Sequence, residues 1–192
     1  MQDEEEGGRN EVILELVDPV EWNSVVEQID DEFGEGVTKS LLGNRVPVIL
    51  SKGNAKTFFL IPTEWMSLVT EEESEVLDIQ FIGQELGSIA KGRFRLSLQI
   101  LSELKELTDN LLIVTDHSAE AFTYGRSVLK ESVVELNNEL KRGQRVLVLN
   151  THHECLGVAS LSIDATKLNR LGREKLVAKN LVDIGWFIRR LG

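Results

Sequence analysis

Leu111-Leu-Ile-Val114, followed by Asp116-His-Ser-Ala-Glu-Ala-Phe-Thr-Tyr-Gly-Arg-Ser-Val-Leu-Lys130, is the stretch on which the reading of this chain turns. Leu111 to Val114 is a short apolar run that suits a buried strand. Asp116 or Ser118 can cap the helix that follows, because a side-chain oxygen accepts an otherwise unpaired backbone N–H. The helical turn Ala119 to Tyr124 stops at Gly125, where glycine takes up a left-handed backbone without a Cβ penalty. Ser127-Val128-Leu129 is the next strand. The hinge sets exposed backbone amides at Gly125 beside Arg126, a cradle suited to a phosphate or a base edge. The same residues also describe an ordinary helix C-cap.

Working outward, 192 residues allow one large domain or two small ones, and 42% hydrophobic content supports packed cores. No run approaches the ~20 apolar residues of a membrane helix. The single Cys155 excludes an intramolecular disulfide. The expectation is a soluble, cytoplasmic protein. A net charge of −11 argues against nucleic acid until its distribution is considered. Residues 110–192 carry 12 Lys and Arg against 9 Asp and Glu, a balance of +3. Residues 1–109 carry 9 against 23, a balance of −14. Such asymmetry suggests two modules with different partners, the acidic one repelling RNA and the basic one attracting it.

In the first half, residues 1–10 form an acidic tail expected to be disordered. Glu11 to Val17 reads as a strand, with a first helix as the alternative. Asp18 caps a helix with Pro19 at its first position and Gly34 at its end. Trp22, Val25, Val26, Ile29 and Phe33 share one face of it and read as core. Val46–Leu50 and Thr57–Ile61 form a hairpin, and residues 62–69 a short helix. Residues 71–75 form an acidic loop and Val76–Ile82 a strand. Gly83 to Arg95 is rich in glycine and cations. Ser97–Leu107 is an amphipathic helix with Leu98, Leu101, Leu104 and Leu107 inward, and Thr108-Asp109-Asn110 is the domain boundary. Gly34 to Ser40 departs from a phosphate loop, with Thr38 where glycine should precede the lysine. Residues 1–109 contain no histidine or cysteine, which removes His/Cys metal sites and most nucleophile–base pairs there.

In the second half, Ser132–Leu136, Arg145–Leu149, Leu156–Leu161, Leu176–Val182 and Trp186–Ile188 read as strands, and Asp164 caps a short helix to Leu171. Many short strands with two short helices suggest a small, mostly β barrel. His152-His153-Glu154-Cys155 is the only run of metal-capable side chains, but neighbours in a tight turn point apart, so it reads as a solvent turn. Lys167, Arg170, Arg173, Lys175 and Lys179 form a basic strip, either a solvated face or a track for a phosphate backbone, with Arg189 and Arg190 extending it. Phe122, Tyr124, Trp186 and Phe187 are expected mostly in the core.

Four segments then match a family in order: Tyr124-Gly125-Arg-Ser-Val-Leu129, Arg145-Val-Leu-Val, Leu156-Gly157-Val-Ala, and Leu181-Val-Asp183-Ile-Gly185-Trp186-Phe-Ile-Arg189. Together they resemble a PUA domain, an RNA-binding pseudobarrel. Before it, Phe81-Ile-Gly83 through Lys91-Gly-Arg-Phe94-Arg95-Leu96 resembles the pre-PUA module of the Nip-seven ribosome-biogenesis family, and its archaeal members above all. The Lys91-to-Phe94 spacing is one residue tighter than the family's. The resemblance implies an α+β chain: an α/β pre-PUA domain over 11–109 with an antiparallel sheet and packed helices, then a mostly β PUA pseudobarrel over 110–192 with two short helices. It implies a non-enzymatic assembly factor of the large ribosomal subunit, without cofactor or metal. Such a factor binds single-stranded uridine- or adenine-rich RNA through the PUA half. Its first domain binds protein partners, such as a Shwachman–Bodian–Diamond-type maturation factor or the exosome. The expected RNA contacts are Gly125, Arg126, Lys167, Arg170, Arg173, Lys175 and Lys179. A protein adaptor whose barrel binds no RNA is the alternative reading, and an RNA-modifying enzyme a third.

Overall fold

The computed structural model describes residues 12–70, 82–90, 92–186 and 189. The acidic tail, the loop 71–75 and most of the strand expected from Val76 lie outside them. The chain divides into two compact units, residues 1–24 with 42–97, and residues 25–41 with 98–192.

The first unit is an antiparallel sheet in strand order β1-β2-β3-β4-β5. The strands are β1 (Val12–Leu16), β2 (Arg45–Lys52), β3 (Ala55–Pro62), β4 (Gln84–Ala90) and β5 (Arg93–Leu96). Lys52 pairs with Ala55, so Gly53-Asn54 is a two-residue turn, and Gly53 has the positive φ of 57° such a turn needs. Phe58, Phe59, Leu60 and Ile61 are all buried, so both faces of β3 are covered. Val48, Phe59, Ile61 and Ile82 form one apolar cluster. β4 and β5 pair antiparallel, with the Phe94 ring edge-on to Phe58 at 5.6 Å.

Helix α1 (Pro19–Phe33) starts as expected: Asp18 Oδ1 accepts the N–H groups of Val20 and Glu21 at 2.8 and 3.3 Å. Its Val25, Ile29 and Phe33 are buried. α2 (Val37–Leu42) follows, and residues 63–70 hold a 3-10 turn (Thr63–Trp65) and α3 (Ser67–Thr70). The helix expected over 97–107 is only a 3-10 turn (Leu98–Ile100) and α4 (Leu101–Leu104). Tertiary hydrogen bonds override its amphipathic pattern, because the chain then delivers Thr108 and Asn110 to the end of α1. Thr108 Oγ1 donates to the Phe33 carbonyl at 2.6 Å and Asn110 Nδ2 to the Glu32 carbonyl at 2.7 Å. Both carbonyls lack a partner within the helix.

The second unit carries a six-stranded sheet in order β7-β11-β10-β9-β6-β8. These are β6 (Leu111–Val114), β7 (Val128–Leu129), β8 (Val133–Leu136), β9 (Arg145–Leu149), β10 (Cys155–Leu161) and β11 (Leu176–Asp183), with α5 (Asp116–Thr123) after β6. Among the described strands only β6 and β9 pair in parallel. The two edge strands, β7 and β8, are consecutive in the chain and joined by Lys130–Ser132. In a flat sheet those edges would lie about 24 Å apart, but four residue steps reach no more than about 14 Å. The sheet therefore curls into a near-closed barrel. Its core holds Leu112, Val114, Phe122, Val146, Val148, Ala159, Leu161, Val177 and Ala178.

Candidate nucleic-acid interface

Thr115, rather than Asp116 or Ser118, is the N-cap of α5, and its Oγ1 accepts the Ser118 N–H. Asp116 stands one position too late, inside the helix, and its carboxylate accepts the Thr151 hydroxyl. At the other end the chain turns through Tyr124 into Gly125, whose φ is +85°. The Gly125 N–H donates to the Phe122 carbonyl at 2.9 Å and the Arg126 N–H to the Ala121 carbonyl at 3.1 Å. This is the paired-bond cap that a left-handed glycine permits. Both amides are consumed by the cap, so the expected backbone cradle at Gly125 does not form. What the hinge offers is side chains: Tyr124, 68% exposed, and Arg126, also exposed.

Carbonyls at the end of α5 also accept from β11 and beyond. Asn180 Nδ2 donates to the Phe122 carbonyl at 2.9 Å, and Arg189 Nη1 donates to the Thr123 carbonyl. Asp183, 1% exposed, accepts both Arg189 Nη groups at 2.9 Å and Asn180 Nδ2 at 3.2 Å. Gly185 lies so close to Thr123 that a Cβ there would fall 2.1 Å from its carbonyl oxygen. The Asp183-x-Gly185 spacing with Arg189 thus has a physical meaning: a buried carboxylate, a close approach and a guanidinium that together fasten the chain end to α5. Two expectations change. Trp186 is not in a strand, because the chain leaves the sheet at Asp183 and the Arg189 N–H donates helically to the Gly185 carbonyl at 3.1 Å. Arg189 is occupied by Asp183 and does not extend the basic strip. Phe187, Ile188 and Arg190 lie outside the described residues.

Lys179 is exposed in the middle of β11, opposite Ser160. Its neighbour Asn180 contacts the Phe122 and Arg126 carbonyls, and Lys179, one position earlier on the strand, projects from the opposite face. Arg173 and Lys175 lie in the loop at the other end of β11. Their carbonyls accept the Glu131 and Lys130 N–H groups at 3.0 and 2.9 Å. Five residues of extended chain separate Lys175 from Asn180, about 16 Å. Lys167 and Arg170 fall on one 3-10 segment (Ala165–Arg170), where positions three apart eclipse and share a face. Asp164 does not cap this segment with its side chain. It accepts Lys167 Nζ at 2.7 Å and the Arg142 N–H at 3.1 Å, and these bonds, Lys167 first, hold its carboxyl below the usual value. Arg173 Nε lies 3.5 Å from Glu131 with its side chain 86% exposed. Exposed pairs of this kind are weak and easily exchanged for a phosphate. Gly125 and Arg126 are thus together at the hinge, Lys179 lies on the outward face of β11, and Lys167, Arg170, Arg173 and Lys175 lie on the segments that lead into β11.

Sequence reasoning missed the exposed aromatics. Phe122 is core, but Tyr124 and Trp186 (37% exposed) are not. A signal existed: two helical positions after the inward Phe122 lies roughly the opposite face. Elsewhere the turn 150–154 is ordered by Asn150 Oδ1, which accepts the His152 and Glu154 N–H groups at 3.0 and 2.9 Å. Burial pushes the Cys155 thiol up to about 11. Among the described residues no group of three or more His, Cys, Asp or Glu side chains could hold a metal. At 34–38, Asp30 accepts the Gly36 and Thr38 N–H groups at 2.9 and 2.8 Å and the Thr38 hydroxyl at 2.7 Å. An internal carboxylate fills the place a phosphate would need.

A family model described as the UPF0113 PUA domain matches residues 110–192. Over residues 110–192 the chain is similar to a PUA domain. A UPF0113 protein of Archaeoglobus fulgidus is 29% identical over 113 residues, 59% of this chain. The match spans 64% of that relative's length. Among solved structures, a hypothetical protein from Pyrococcus horikoshii OT3 is similar at a TM-score of 0.65 and 11% identity, covering 93% of this chain and 99% of that one. A PUA domain protein from Thermoplasma acidophilum gives 0.60 at 12% identity, with the same coverage. A PUA domain from Aeropyrum pernix K1, solved with tartrate, gives 0.59 at 14% identity, covering 94% and 90%. These likenesses speak for the mixed α+β fold. Within residues 110–192, Thr123 at the hinge is in direct contact with Gly185 and Arg189.

Proposed function

We propose that this protein is a non-enzymatic RNA-binding assembly factor of the large ribosomal subunit. Its PUA domain binds single-stranded RNA, and its first unit binds protein partners. The observation that carries the reading is the placement of Arg126, Lys179, Lys175, Arg173, Arg170 and Lys167 as exposed cations along β11 and its approaches, within a PUA domain. They lie in the half that carries +3 against −14 for the rest. PUA domains typically bind RNA, and a cationic track supplies affinity by releasing phosphate counterions. The resemblance of 81–96 to the Nip-seven pre-PUA module supports the ribosomal role and partners of the Shwachman–Bodian–Diamond or exosome kind. Exposed Ile13, Leu16, Val20 and Trp65 in the first unit support protein contact there.

The test is binding of a labelled oligouridine against salt, for the wild type and for Arg170, Arg173 and Lys175 all changed to Ala. Each phosphate contact adds about 0.7 to the single-strand slope, so the triple variant should lose about 2 units of slope. Unchanged affinity and slope overturn the reading. Recovery of partners from extract that resists ribonuclease, together with no RNA binding by the full chain, would favour the adaptor.

A further inference from the structure

The hinge carries two aromatic side chains that reach solvent, Tyr124 at 68% exposure and Trp186 at 37%. Tyr124 is the C-cap residue of α5, next in sequence to Thr123. Trp186 follows Gly185, which lies against the Thr123 carbonyl. Each ring is therefore one residue from the same backbone contact. The Asp183–Arg189 pair and the Asn180 bonds hold the two segments together, so the rings are presented from a fixed base. Exposed Leu181 and Ile184 lie in the same stretch. Arg126 is exposed two residues after Tyr124. Within 122–126 and 180–186 the sole carboxylate is Asp183, buried and neutralised by Arg189.

We propose that Tyr124 and Trp186 stack an unpaired nucleobase of single-stranded RNA, with Arg126 holding a flanking phosphate. The inference rests on the RNA-binding reading above and adds a base contact to its phosphate track. Aromatic faces stack on any base, which is sequence-tolerant recognition, and a duplex that keeps its bases stacked cannot use them. Apolar rings beside a cation suit a nucleotide, which has a flat apolar face and a charged backbone. Glu120, one helical turn before Tyr124, is exposed and opposes the phosphate.

The experiment is anisotropy with labelled oligouridine, and with an abasic oligomer of equal length, across a salt series. Tyr124→Ala should lower oligouridine affinity about 5- to 100-fold with the salt slope unchanged, and Tyr124→Phe should restore it. On the abasic oligomer the wild type and Tyr124→Ala should bind alike. With Trp22 and Trp65 changed to Phe, oligouridine should quench Trp186 emission, and Glu120→Gln should tighten binding. Tyr124→Ala binding oligouridine as tightly as a wild type that does bind overturns the stacking proposal. It leaves the phosphate track standing and makes the apolar patch a protein contact. A lost salt slope in Tyr124→Ala, or unquenched Trp186, overturns it likewise. A wild type that binds neither oligomer overturns both this proposal and the RNA reading.

Discussion

Gly125 shows how one residue can be right in kind and different in use. Glycine after a helical turn signals a left-handed residue, and its φ is indeed +85°. The use of its amide is set by geometry, because the cap closes on Phe122 and Ala121. Gly125→Ala forces a Cβ into the left-handed region and should cost about 1 kcal/mol, read from urea denaturation, with RNA affinity largely kept. At Asp183 the carboxylate satisfies Arg189 and Asn180 together. Asp183→Ala strips bonds to a charged group and should cost about 2 kcal/mol on the same measurement. Cys155 lies at the opposite extreme of reactivity. Its thiol is shifted from 9.0 to about 11 by burial, so at pH 8 its thiolate population should be about 100-fold below that of an unshifted thiol. Iodoacetamide labelling should be correspondingly slow in the folded protein and normal in urea.

At the scale of elements, caps and turns were legible where a short-range rule operates. Asp18-Pro19 opens α1 and Gly34 closes it as the residues indicate, and the strands of the second half follow their apolar runs. The rules failed where a distant partner competes. The helix expected over 97–107 breaks up because Thr108 and Asn110 serve the end of α1, and Trp186 leaves the sheet because Asp183 needs Arg189. The loop 34–38 is ordered by Asp30. Burial raises its carboxyl, but the Thr38 hydroxyl and the Thr38 and Gly36 amides outweigh that and set it below its ordinary 3.8. A depressed carboxylate contributes stability that is present above its unfolded value and is lost as pH falls through the folded one. Stability of the wild type should therefore drop on acidification below about pH 4, and Asp30→Asn should flatten that drop in urea titrations from pH 3 to 6.

At the scale of the whole molecule, closure of the second sheet depends on the three residues between β7 and β8. Doubling that connection with Gly and Ser should cost at least about 0.6 kcal/mol of loop closure. It should speed amide exchange in β7 and β8 before the other strands. The sequence by itself determined the charge split, the strands of the barrel and the residues that mark a PUA domain, since these rest on composition and on contacts between near neighbours in the chain. Tertiary structure decided which cations meet and which are taken, because ion pairs such as Asp183–Arg189 and Glu131–Arg173 depend on positions the chain reaches only after folding. It decided, too, that the hinge from which the reading began presents rings rather than amides. Its N–H groups are spent closing α5, and Tyr124 stays in solvent because Phe122 takes the inward position.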